Sequence, residues 1–238
     1  MTLAEIAPDL WEHHVPHRVA GIALGHRMTV IRLATGDLIL HSPTPPTPEL
    51  REALAARGRV RWLVAPSRMH DLWWPEIAAA FPEATCLGVP GLRESRPDVE
   101  FRPLLSPEAP PEWSGDVDVL LLQGAPRASE AAFIHRSSKS LIVADLLFHL
   151  GPGQGWLGRL LLRLNGCLDK PAPSRLFRSL IDDPGRFKAS LEALLARDWD
   201  RIVVGHGAIV PSGGKAVLQQ AFGLTHRRLP VTPTVSPG

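Results

Sequence analysis

The sequence predicts an α/β fold carrying either one mixed sheet or two sheets. Three observations lead there. Residues 28–43 (MTVIRLATGDLILHSP) and 130–148 (EAAFIHRSSKSLIVADLLF) both read as β-hairpins, each with two β-rich runs around a polar turn. Three runs, WLVA at 62–65, LIVA at 141–144 and IVV at 202–204, are short and continuously apolar, as expected of strands buried on both faces. Helical patterns separate them, so the two kinds of element alternate along the chain.

In chain order, the first hairpin turns at Gly36 and Asp37. TPPTPEL then ends the sheet and starts a helix: Thr47 is placed to cap it, Pro48 suits its first position, and Leu50, Ala53 and Leu54 share a face. Gly58 stops that helix and RVRWLVAP follows as a strand. WWPEIAAAF is a second helix closed by Pro82, and TCLGVP a further strand. DVDVLLL at 116–122 is another strand, and the second hairpin turns across 136–139. After a loose stretch at 151–155, GWLGRLLLRLNGCLD is an apolar helix with Arg159 and Arg163 one turn apart. DPGRFKASLEALLARDWD is amphipathic, with Phe187, Leu191, Leu194 and Leu195 on one face. RIVV is the next strand and GGKAVLQQAFGL the final helix. One domain over residues 1–229 is expected, with 150–184 as a helical insertion or cover and 230–238 as a flexible tail.

With 238 residues, 45% of them hydrophobic and 21% charged, the chain can bury an ordinary core. A net charge of +2 is too small to indicate nucleic acid, and the excess of arginine, 22 against 4 lysines, reads as genomic base composition. Cys86 and Cys167 stand in no metal or redox spacing, so a reduced, cytoplasmic protein is expected. The opening MTLAEIAPDLWEHH has an early acid and no apolar core, which does not read as a signal peptide. No run reaches the roughly 18 apolar residues of a membrane span, so no transmembrane segment is expected.

Each buried run is followed within a few residues by a metal-binding type of side chain: His70 with Asp71, then Asp145, then His206. Open α/β sheets gather their sites outside the carboxyl ends of strands. Two histidines and a carboxylate there have the composition of a three-ligand catalytic zinc site with an open position, and they also suit iron. His206 stands between Gly205 and Gly207, as expected where a group must approach the imidazole closely or where the chain simply turns. Taken singly, each of these residues more often serves a turn or loop; three such strand ends together weaken that reading.

On these segments the chain resembles the metallo-β-lactamase superfamily: LIVAD is similar to its segment with a metal-binding Asp, and VVGHG to its last His segment. The resemblance runs over about residues 28–224 and implies a metallo-β-lactamase-like four-layer αββα sandwich with a metal site on one edge and His206 as the last ligand. The chain departs from that pattern. Where the superfamily has His-x-His-x-Asp-His, it reads APSRMHD: Pro66 and Arg68 take the two leading His positions, and His70 and Asp71 fill the Asp and His positions in inverted order. The middle His should follow Gly124, where Ala125 and Pro126 stand. Half of the usual binuclear site survives at most, which implies one zinc or iron ion per chain, or none. The chain is similar to a bacterial and plant subgroup, a domain of unknown function, in RMTVIRL, LVAPSRMHDLWW, SEAAFIH and SKSLIVADLLF; that subgroup has an Asn and a His-His pair where Ser67, His70 and Asp71 stand.

The expectation is therefore that His70, Asp145 and His206 ligate metal. Asp71 is a candidate general base, and Glu130 a candidate to assist as ligand or by orienting one. Arg68 is a candidate to bind an anionic substrate group, or to neutralise Asp71 and Asp145 in place of a lost metal. His149, four residues after Asp145, would share a face with it if DLLFH were helical, and could complete the site. The tract HHVPH at 13–17, broken by Pro16, reads as surface histidines without fixed geometry. Trp73 and Trp74 read as core or as a pocket wall. GWLGRLLLRL is a cover for the active edge, a self-association face through 156–164, or an interfacial segment, although two arginines are too few to argue for a membrane. Two functions stay open: a mononuclear metal-dependent hydrolase acting on a small molecule, or a non-catalytic binding or scaffold protein that has lost its metal.

Overall fold

A computed structural model describes residues 3–103, 109–151 and 154–224; the expected tail at 230–238 lies outside them. The chain opens with two strands that the sequence did not announce, β1 (Ala4–Ala7) and β2 (Leu10–Val15), and two short ones, β3 (Arg18–Val19) and β4 (Ile22–Ala23). The first expected hairpin comes next as β5 (His26–Arg32) and β6 (Asp37–His41), paired antiparallel. Helix α1 (Pro48–Ala55) leads to β7 (Arg59–Ala65), α2 (Trp74–Ala80) to β8 (Thr85–Gly88), and α3 (Leu92–Ser95) to β9 (Arg102–Pro103). These strands form a seven-stranded sheet in the order β1-β2-β5-β6-β7-β8-β9.

A second sheet begins with β10 (Val117–Leu121) and continues through the second hairpin, β11 (Ala131–His135) and β12 (Ser140–Ile142). The chain then makes β13 (Phe148–His149), α4 (Trp156–Asn165), α5 (Arg175–Ser179) and α6 (Pro184–Leu195). It returns as β14 (Arg201–Val203) and β15 (His206–Gly207) and closes with α7 (Gly214–Phe222). The second sheet runs β10-β11-β12-β14, while β13 and β15 pair with each other.

Local chemistry sets the helix starts. The Thr47 hydroxyl accepts the Leu50 N–H at 3.3 Å with Pro48 at the first position, and Asp183 accepts the Arg186 N–H at 3.0 Å ahead of Pro184. Burial sets the layers. Successive side chains of a strand point to opposite faces, and the second sheet obeys this. Ala131, Phe133, Ile142 and Val203 join the core shared with the first sheet, α1 and α2. Ala132, Ile134, Leu141 and Ile202 join a separate core with Phe187, Leu191 and Leu194 of α6 and Leu218 of α7. The second sheet is thus sandwiched between the first sheet and the last two helices, which accounts for the αββα layering.

Two local expectations are corrected. DLLFH is not helical: after β12 the chain turns and enters β13, so Asp145 and His149 do not share a helix face. The tract at 13–17 is not without geometry, because His13 and His14 lie on β2 opposite Met28 and Arg27 of β5. Among the described residues no helix is long and apolar enough to cross a membrane.

Candidate metal centre

The convergence of the three candidate ligands stems from strand pairing. β12 and β14 are parallel neighbours, Leu141 opposite Ile202 and Ile142 opposite Val203, so the chain leaves both at the same sheet end and carries Asp145 and His206 there. β7 ends at Ala65 in the facing sheet and delivers Ser67 and His70 to the same place. His70 Nε2 lies 3.1 Å from His206 Nε2 and 3.4 Å from Asp145 Oδ2, and His206 Nε2 lies 3.5 Å from Asp145 Oδ1. All three side chains are buried.

The donor set fits a metal ion. One donor atom from each of the three residues, a ring nitrogen or a carboxylate oxygen, lies within 4.8 Å of the other two, close enough for a single ion to gather them. The far ring nitrogens are also engaged. His206 Nδ1 is 2.7 Å from the Gly25 carbonyl, which can only accept, so Nδ1 carries a proton and Nε2 is the nitrogen left to face Asp145 and His70 or an ion. His70 Nδ1 is 2.5 Å from Ser42 Oγ, which also lies 2.9 Å from His26 Nε2. Ser67 donates its hydroxyl to Asp145 Oδ2 at 3.0 Å.

Charge is concentrated here. Burial opposes ionisation of Asp145, yet His70 and His206 hold its carboxyl well below the usual range. Burial opposes protonation of His70, but Asp145, with Glu130 and Asp71 further off, outweighs it and raises the imidazole. Glu130 is pushed up to about 8 by burial and by Asp145. Its carboxyl accepts the Ala144 N–H at 2.8 Å and the Asp145 N–H at 3.0 Å, so it fixes the turn that presents Asp145.

The glycines around His206 answer to close contacts. A Cβ on Gly205 would stand 2.7 Å from the Ala144 carbonyl oxygen and 2.8 Å from Cε1 of His70. Gly207 has φ +92°, and a Cβ there would stand 2.0 Å from the His149 carbonyl oxygen. Arg27 of β5 reaches across to the same segment: its guanidinium donates to the Val204 carbonyl and, at 2.6 Å, to the Gly207 carbonyl, and it pairs with Glu12.

The three ligand candidates sit at the floor of a cavity of about 210 Å³. Its walls are mainly apolar, with Leu24, Leu72, Phe148 and Phe177 among them, and among the described residues no lysine or arginine lines it. Asp71 lies outside that lining, and its carboxylate faces Arg96 at 3.4 Å. The Arg68 guanidinium packs beside Gly91 and, among the described residues, makes no ion pair with Asp71 or Asp145. His149 points its Nδ1 to the Ala208 carbonyl at 2.9 Å and does not line the cavity. Trp74 is buried core, whereas Trp73 meets His26 edge-on at 5.1 Å between centroids.

Sequence reading missed His26, Ser42, Arg27 and Phe148. Ser42 had a signal: it comes after the strand run LILH as His70 comes after WLVA, and it holds a left-handed φ of +57°, a conformation that for serine marks an over-determined position.

Fold and site together define a member of the metallo-β-lactamase fold. A metallo-β-lactamase from Pontibacter korlensis is similar over 94% of this chain and 99% of its own, with a TM-score of 0.59 at 11% identity. The metallo-β-lactamase FIM-1 from Pseudomonas aeruginosa, solved in a mono-zinc form, matches 93% of this chain and 94% of its own at a TM-score of 0.62 and 12% identity. The metal-soaked Flv1 flavodiiron core from Synechocystis sp. PCC6803 gives a TM-score of 0.64 at 13% identity, over 93% of this chain and 60% of its own. No curated protein matches the sequence. Residues 8–155 match a domain of unknown function, DUF4336, and the chain belongs to that family.

Proposed function

We propose that the chain is a mononuclear metal-dependent hydrolase whose ion, zinc or iron, is held by His70, Asp145 and His206. One observation carries this reading: three buried side chains from three strand ends each offer a donor atom within 4.8 Å of the others, and all three line one cavity. Held there, the ion would supply Lewis acidity, bringing a water into the nucleophilic range near neutral pH and polarising an ester or amide carbonyl. The protein's own groups do the rest. Gly25 and Ser42 fix the imidazoles, Ser67 and Glu130 fix Asp145, and the apolar walls exclude bulk water. With no lysine or arginine among the described lining residues, a neutral substrate with a compact apolar group suits the cavity better than an anionic one. Glu130 acts as a positioning residue in this scheme, and Asp71, Arg68 and His149 have no direct part.

A second reading, a binding protein without metal, draws on the same contacts, because His70 protonated between Asp145 and His206 would satisfy all three groups. Elemental analysis of untagged protein, with reconstitution by zinc and by ferrous iron, separates the two. The hydrolase reading expects close to one equivalent per chain, lost in His206→Ala, and turnover of neutral esters or lactones by the loaded form. Failure of both metals to bind would leave the binding protein.

A further inference from the structure

Helix α4 is amphipathic in reverse. At about 100° per residue, its buried Gly158 and Leu162 lie on one side, and Trp156, Leu157, Leu160 and Leu164 fall within a sector about 100° wide on the other. Those four side chains are 79%, 51%, 46% and 55% exposed. Leu162 packs with Phe148 and Leu24, which also line the cavity, so α4 leans on the cavity's outer wall. Val19, Met69 and Leu176 line the cavity and are exposed as well, which makes its mouth apolar. These residues of α4 and of the mouth are all the exposed large hydrophobic side chains among the described residues. Such gathering marks an interaction surface, since exposed apolar residues are otherwise scattered singly.

The charge of the segment that carries this surface is one-sided. Arg159 and Arg163 lie on the Trp156 edge of the apolar sector of α4, and the exposed Lys170 and Arg175 come after it in the chain, whereas Arg178 is engaged with the Ala221 carbonyl; Asp169, paired with Arg159 at 2.9 Å, is the single acid between 154 and 178. A second copy is a poorer occupant, because two-fold pairing sets two copies of the same net-positive segment against each other. An anionic bilayer offers an apolar layer beneath negative headgroups and matches both features. α4 has ten residues, about 15 Å, which suits lying in the interface rather than crossing it, with a tryptophan at the boundary.

We propose that α4 and the cavity mouth dock on an anionic lipid surface, Trp156 and the exposed leucines entering the acyl boundary while Arg163, Lys170 and Arg175 face the headgroups. The proposal does not depend on the metal. The full chain is to be sedimented with vesicles of phosphatidylcholine alone and of phosphatidylcholine mixed with phosphatidylserine. Binding to the mixed vesicles, at least about tenfold weaker to phosphatidylcholine alone and weakened by salt, is expected, each basic side chain contributing about fivefold. Leu160→Ser with Leu164→Ser should cut binding about tenfold or more at an unchanged thermal midpoint. Arg163→Glu with Arg175→Glu should remove the preference for phosphatidylserine. Absence of binding, equal binding to both vesicles, or full binding by the leucine variant would overturn the proposal. So would a concentration-dependent dimer that the leucine variant dissolves, which would give this face to a second copy.

Discussion

Phe148 and His206 are register partners in the parallel pair of β13 and β15, and their rings stack at 5.2 Å with 6° between planes. The stack and the Nδ1 bond to Gly25 hold one imidazole from two directions. Phe148→Leu should therefore lower metal affinity about 10- to 100-fold, the usual effect of losing a ligand's support. Competition against a chromophoric chelator measures it; an affinity equal to the parent's would show that the stack does not orient His206.

Gly205 and Gly207 should fail differently when replaced by alanine. At Gly207 the left-handed φ and the His149 carbonyl leave a methyl nowhere to go, so Gly207→Ala should cost about 2 kcal/mol or more in urea unfolding. At Gly205 the methyl meets the His70 ring and the Ala144 carbonyl; metal uptake should suffer there. A Gly205→Ala protein with parental metal affinity would contradict the placement of His70.

Glu130→Gln tests the turn before Asp145. The carboxyl accepts two backbone N–H groups, whereas the amide offers one oxygen and sets an N–H₂ against a second donor. A loss of about 1–3 kcal/mol is expected from the unmet buried group, together with weaker metal binding. Stability within about 0.5 kcal/mol of the parent would remove Glu130 from the positioning role.

Acid should unfold the protein partly through His41. Burial, with His70 near, lowers this imidazole from 6.5 to about 3, and its Nε2 has no partner among the described residues. Because the folded value is depressed, the unfolded chain binds the extra proton between about pH 6.5 and 3. His41 therefore withdraws stability as pH falls through that window and leaves it untouched above. His41→Leu should flatten the stability curve there by up to about 1.4 kcal/mol per pH unit, the value of one proton. An unchanged slope would show that His41 is not the titrating group.

The three ligand candidates were legible because continuous apolar runs reveal buried parallel strands, and neighbouring parallel strands hand the chain over at one sheet end. The helix caps at Thr47 and Asp183 are similarly local, and the spacing of apolar residues placed α1 and α6 correctly. The features that the sequence concealed depend on direction. Arg68 is two residues from His70, yet the turn aims its guanidinium at Gly91, and adjacency in sequence says nothing of that. β1 and β2 were hidden because β2 mixes Leu10 and Trp11 with histidines, and only pairing with β5 reveals that His13 is covered. Arg27 joins the site from a strand far away in sequence, so no pattern near His206 could announce it.

During synthesis the hairpin of β11 and β12 leaves the ribosome well before β14, and nascent domains order from the N-terminal side. His70 and Asp145 can therefore be brought together while the free edge of β12 still waits for its parallel neighbour. Only the arrival of β14 seals that edge and swings His206 onto Phe148. A chain cut short after α6 would expose both an open strand edge, the kind of surface that recruits other chains, and a carboxylate with one of its two imidazoles missing. Closing the β12 edge and bringing His206 to Asp145 are one folding event, so a chain that has made one has made the other.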